Sequence, residues 1–140
     1  ADDGIDGWIG CEVINLLRFS GTVSDDVIEN GAGRALRSLG VNEPITYRIR
    51  MPAEVNVIAT RSRGTLSRGT RLWIQVSDFV VRSDGGGGLV EHTILINAQA
   101  RRHLKSDVAQ LTESVHSALV TNISIPRPRT ARETHRGSHR

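Results

Sequence analysis

Five histidines, one cysteine and fifteen carboxylates are the groups with which this 140-residue chain could move protons, attack carbonyls or hold a metal. Their spacing argues against all three. His92 sits in LVEHTILINA, among apolar residues of a strand pattern, where a hydrogen-bonded core or interface histidine is the simpler reading than a catalytic one. His103 and His116 are far apart in and before a helical pattern. His135 and His139 have the i, i+4 spacing of a helical metal pair, but RTARETHRGSHR offers no reason to be helical. Cys11 is alone, so an intrachain disulfide and a multi-cysteine zinc site are both ruled out. HExxH, GxSxG and CxxC do not occur, and Gly85–Gly88 fit neither the P-loop nor the dinucleotide pattern. Asp25, Asp26 and Glu29 read as a solvated acidic face. No nucleophile, base and orienting group come together. The expectation is a non-enzymatic protein with no catalytic residue, metal or cofactor.

The basic residues are more informative. Seventeen of the eighteen are arginine; Lys105 is the exception. Residues 1–33 carry seven acids against one arginine, residues 34–71 eight arginines against two acids, and residues 127–140 five arginines against one acid. Arginine presents a planar fork suited to phosphate. A basic centre and a basic tail therefore point to nucleic acid. Ordinary solvated arginine from a GC-rich coding sequence accounts for the composition equally well.

The elements that must position these groups centre on residues 71–120. RLWIQVSDFVVR (71–82) and LVEHTILINA (89–98) alternate with period two and are rich in branched residues, so each predicts a strand. SDGGGG (83–88) between them reads as a loop with several cheap backbone paths. Leu104, Val108, Leu111, Val115 and Leu119 form an apolar stripe that predicts a helix, with Ser106 as a candidate cap and Asp107 in its first turn. Upstream, ITYRIRM (45–51) and VNVIAT (55–60) read as strands, and RSRGTLSRGT (61–70) as a basic turn. CEVINLL (11–17) with Thr22-Val23 reads as an opening hairpin. Residues 25–39 are open between helix, loop and edge strand, because Gly31 and Gly33 oppose an unbroken helix. The fold class is α+β, with an N-terminal hairpin plus about five antiparallel strands and a C-terminal amphipathic helix. One domain spans residues 1–128, and a basic tail, residues 129–140, is expected to be mobile unless bound. RGSH in that tail also resembles a cloned tag. No apolar run has the length of a membrane span, and Ala-Asp-Asp reads as a start from which methionine was removed.

If the apolar strand faces pack under the C-terminal helix, the opposite face carries Thr46, Arg48, Arg50, Trp73, Gln75, Thr93 and Asn97, with Arg71 at its margin. Guanidinium groups would contact phosphate, amides and hydroxyls would read bases, and Trp73 would stack. A plain solvated sheet face is the competing reading.

RLWIQVSDFVV, RSDGGGG, LVEHTILINA and KSDVAQLTESVHSAL, preceded by GRALRSL and PITYRIRM, together resemble the coat protein of single-stranded RNA bacteriophages, the levivirus type. The resemblance spans roughly residues 30 to 122. It implies an interlocked homodimer with a ten-stranded sheet, and dimers that close an icosahedral shell in the virion, assembled in the bacterial cytoplasm. It further implies single-stranded RNA on the bare inner sheet face, Leu104, Val108, Leu111, Val115 and Leu119 in dimer assembly, and Gly85, Gly86, Gly87 and Gly88 as a loop that changes shape between quasi-equivalent positions. ISIPRP (123–128) lacks the family's second helix, and the basic tail is longer than the family's. Two other readings stand beside it: a tailed-phage ring-forming head–tail or tail-terminator protein, and a small cellular RNA-binding module.

Overall fold

The computed structural model describes residues 10–124. Along the chain come β1 (Gly10–Ser20), α1 (Asp25–Leu39), β2 (Ile45–Ile49), β3 (Val57–Arg68), β4 (Thr70–Ser83), β5 (Gly86–Asn97) and α2 (Lys105–Ser124). The strands form one antiparallel sheet in the order β1-β5-β4-β3-β2. Strands β2 to β5 are a meander, the low-cost way to pair consecutive strands through short turns. β1 closes the far side by pairing with β5, so α1 carries the chain from one edge of the sheet to the other.

The opening segment is therefore one strand rather than the expected hairpin, with Thr22 and Val23 in the link to α1. Residues 25–39 form an unbroken helix. Its stop and start signals outweigh its glycines: the Ser24 hydroxyl accepts from the Val27 N–H, Asp25 and Asp26 stand in the first turn, and Gly40 closes the end at φ 111°. The Val41 N–H bonds the Leu36 carbonyl at 3.0 Å, and both side chains are buried in one cluster, the apolar contact that accompanies such a cap. Gly31 and Gly33 serve close approach. A Cβ on Gly31 would stand 3.0 Å from the Asp78 carboxylate, and one on Gly33 2.8 Å from the Thr46 hydroxyl.

Cross-strand partners share a face of the sheet. Leu72, Ile74, Val76 and Val80 of β4 lie under α1, against Ile28, Ala32 and Leu36. Trp73, Phe79, Ile94 and Ile96 lie under α2, against Leu104, Val108, Val115 and Leu119. Both faces of the central strand β4 are covered within one chain while the edge strands stay exposed, which corrects the expectation of one wholly bare sheet face. The glycine run is corrected too. Only Asp84 and Gly85 form the turn, a two-residue Asp-Gly hairpin with Gly85 at φ 77°. Gly86, Gly87 and Gly88 belong to β5 and pair with both β4 and β1. A Cβ on Gly87 would strike the ring of Phe19, its partner on β1, so glycine here makes room for an aromatic cover. Residues 61–68 continue β3 instead of turning. α2 starts at Lys105, which puts Ser106 inside the helix, and it runs on to Ser124. The tail at 129–140 lies outside the described residues.

One row on the α1 face is polar. Thr60, Asp78 and Glu91 are successive cross-strand partners on β3, β4 and β5, with Thr60 and Asp78 buried. Burial, then hydrogen bonding to and repulsion by Glu91, raise the Asp78 carboxyl from 3.8 to about 8. The folded chain thus holds a proton that the unfolded chain has released across that window. The contribution of Asp78 to stability is therefore fully present below about pH 4, falls as pH rises, and levels near pH 8. Thermal unfolding should show this decline, and Asp78→Asn should flatten it; an equally steep decline in the variant would remove Asp78 as its source.

Candidate nucleic-acid interface

α2 crosses its face of the sheet on a diagonal. Leu104 and Val108 sit over Trp73 and Ile96, Thr112 over Gln75, and Val115 and Leu119 over Phe79 and Val57. The diagonal leaves the β2–β3 corner open, and that corner is basic. Arg61 and Arg63 of β3 point to this face two residues apart, about 7 Å along a strand. Each is held by a buried polar partner directly opposite on β4. Arg61 Nε donates to Ser77 Oγ at 2.7 Å, and Arg63 Nε donates to Gln75 Oε1 at 2.9 Å. The Gln75 amide donates in turn to Thr112 Oγ1 of α2 at 3.0 Å. Ser77 and Gln75 are thereby satisfied inside the protein, as buried polar groups must be.

Tyr47 stands opposite Arg61 on β2, and the Arg63 guanidinium lies 5.7 Å from its ring centre. Across a cleft of about 310 Å3, Arg101 covers Trp73 at 4.4 Å, and Lys105, Val108 and Glu113 complete the α2 wall. Among the described residues, no carboxylate pairs with Arg61, Arg63, Arg101 or Lys105. Arg71 and Arg102 line a second hollow, at the start of β4. The arrangement is a strip of cations without a carboxylate partner among the described residues, with the Tyr47 ring exposed beside it. It can hold a polyanion, and it presents no nucleophile or metal cage: no cluster of histidine, cysteine or carboxylate suited to a metal occurs among the described residues.

The residues expected on one RNA-facing surface are split by the register. Thr46, Arg48, Thr93 and Asn97 belong to the α1 face, and Arg71, Trp73 and Gln75 to the α2 face, with Arg50 in the loop after β2. Arg48 is paired with Glu29 of α1. Trp73 and Gln75 are buried beneath α2, where they support the basic strip instead of forming its surface. Arg61 and Arg63 are absent from that set because RSRGTLSRGT reads as a turn, Tyr47 because it falls on the apolar face of ITYRIRM, and Arg101 and Lys105 because they flank the start of the helix rather than lie on a strand. The alternation of Arg61, Arg63 and Thr65 with Ser62, Gly64 and Leu66 was the signal. His92 is buried, and its Nε2 meets the Glu12 carboxylate of β1. Of the helix stripe, Leu104, Val108, Val115 and Leu119 pack on the chain's own sheet. Leu111 stays 40% exposed, in an apolar hollow beside Gly10 to Glu12 of β1.

No protein-family model, curated protein or solved structure matches this chain.

Arg101→Ala uncovers the Trp73 ring. Placed in a Trp8→Phe background, it should shift tryptophan emission to longer wavelength and lower stability by about 1 kcal/mol. Unchanged emission would mean that the guanidinium does not cap the ring in solution.

Proposed function

We propose that this chain is a structural protein that assembles with copies of itself into a closed shell and holds single-stranded RNA, a capsid protein of the kind its sequence resembles. The observation that carries the reading is the edge strand β1. It is eleven residues long and has no proline, yet it exposes Val13, Ile14, Leu16 and Leu17, the last two at 74% and 57%. A long apolar edge is a template for another strand, and monomeric proteins blunt such edges.

The edge is also self-complementary. Two copies of β1 laid antiparallel about Asn15 would set Glu12 opposite Arg18, Val13 opposite Leu17 and Ile14 opposite Leu16, each pair formed twice. Opposite charges and apolar side chains would meet on both faces, which is what an isologous twofold contact requires. The partner strand would run beside the hollow that exposes Leu111, which accords with an assembly role for that residue.

A second reading has its own support. β2 is the other open edge and exposes Ile45 at 71%. A β1-to-β2 contact would be head-to-tail and would generate a ring where its rotation closes.

Negative-stain electron microscopy with the A260/A280 ratio of the same fraction separates these outcomes. Closed particles rich in RNA are expected. Rings would favour the second reading, and a nucleic-acid-free monomer would overturn both. Within the shell reading, Asn15→Cys in a Cys11→Ser background should give a disulfide-linked dimer under mild oxidation. Leu16→Lys should leave the circular-dichroism spectrum unchanged and abolish assembly. A monomeric, uncrosslinked Asn15→Cys protein would discard this register.

A further inference from the structure

We infer that Arg61 and Arg63 form a phosphate comb for single-stranded RNA, whose geometry is set by Ser77 and by the hydrogen-bonded chain Arg63–Gln75–Thr112. This inference rests on the RNA-binding part of the proposed function and supplies its site. An arginine has five N–H donors. In both residues the Nε donor is spent on a partner buried in the sheet, Ser77 for Arg61 and Gln75 for Arg63. Among the described residues the terminal nitrogens have no carboxylate partner, and the planar fork is already oriented for bidentate contact with an anion. Fixing a guanidinium in advance lowers the ordering cost of binding. Two such forks on one face of one strand form a rigid pair, in contrast to the unanchored Lys105 on α2.

The ligand follows from what surrounds the pair. Repeated cations call for a repeated anion. Arg101 and Lys105 extend the positive strip across the cleft, and Tyr47, 39% exposed, offers a ring beside both forks. A backbone track with an adjacent aromatic platform is the requirement of single-stranded nucleic acid. A duplex would have its bases stacked away from Tyr47, and an acidic polypeptide would make no use of the ring. Glu113 is the one acid on the cleft wall and confines the track to the β3 side.

Thr112 does not face the ligand. Its hydroxyl accepts from the Gln75 amide, which leaves Gln75 Oε1 aimed at Arg63. It is a positioning residue, and it makes the comb depend on α2 being docked.

The test is binding of a fluorescent oligouridylate to the full chain across a salt series. Arg61→Ala with Arg63→Ala should weaken binding at least tenfold. It should also reduce the slope of log K against log salt by about 1.4, two phosphate contacts at about 0.7 each. Arg61→Lys with Arg63→Lys keeps the charges but loses the anchored forks; it should restore the slope and leave affinity several-fold below wild type. Thr112→Val should weaken binding a few-fold at unchanged melting temperature, with recovery in Thr112→Ser. Wild-type affinity in the double alanine variant would overturn the comb while leaving the shell intact. Polyglutamate competing as well as RNA would overturn the choice of ligand. Wild-type particles that form without RNA and bind no oligouridylate would instead overturn the RNA-binding reading on which the comb rests.

Discussion

Trp73 to Val80 of β4 are eight consecutive buried residues, and the rest of the chain is arranged around the need to cover them. A strand buried on both faces needs a layer on each side. Here one chain supplies both, α1 above Ile74, Val76 and Val80, and α2 above Trp73, Gln75 and Phe79. The polar members of the run set further conditions. Gln75 and Ser77 must find partners, and they find them in arginines of β3, which are thereby fixed at the surface. Asp78 is held beside Glu91 and retains its proton to about pH 8. The basic strip is thus a consequence of how the middle of the sheet is satisfied.

That dependence explains what could be read from the sequence. β4, β5 and α2 were legible because their periodicity is strong and comes from packing. Trp73, Gln75 and Ser77 alternate with apolar residues just as a solvated face does, and pattern alone does not distinguish a polar residue in water from one bonded to a buried partner. α1 was obscured by Gly31 and Gly33, although Ser24, Asp25, Asp26 and Gly40 framed it. Those glycines report how close the helix lies to Asp78 and Thr46, a tertiary fact with no local signature. The Asp-Gly turn was hidden inside a longer glycine run, three of whose members are strand residues beside Phe19. The candidate site was legible in residue type, arginine, but not in position, since Arg61 and Arg63 were placed in a turn and Arg48, expected to contact phosphate, is paired with Glu29.

The charge asymmetry of the sequence becomes an arrangement in space. Asp25, Asp26 and Glu29 lie in α1, where Asp25 pairs with Arg82 at 2.7 Å and Glu29 with Arg48. Of the arginines of residues 34–71, Arg48 enters such a pair, whereas Arg61 and Arg63 lie on the α2 face with no carboxylate partner among the described residues. Exposed pairs of this kind contribute little stability, of the order of 1 kcal/mol or less each. Their consequence here is to tie α1 to the sheet through Arg48 and Arg82.

On the proposed reading, the two edges of the sheet take different tasks. β1 is long and self-complementary, so a twofold contact there uses it completely. β2 is five residues long and stays open, with Arg61 and Arg63 on the neighbouring strand and Arg50 just past its end. Contacts between dimers made along β2 would bring like charges from two copies together, and at that range their repulsion is unfavourable. A polyanion lying in the comb cancels the repulsion at the place where it arises. Dimer formation would then need no nucleic acid, whereas closure of the shell would be favoured by it. The same arginines that make RNA bind would make assembly wait for it.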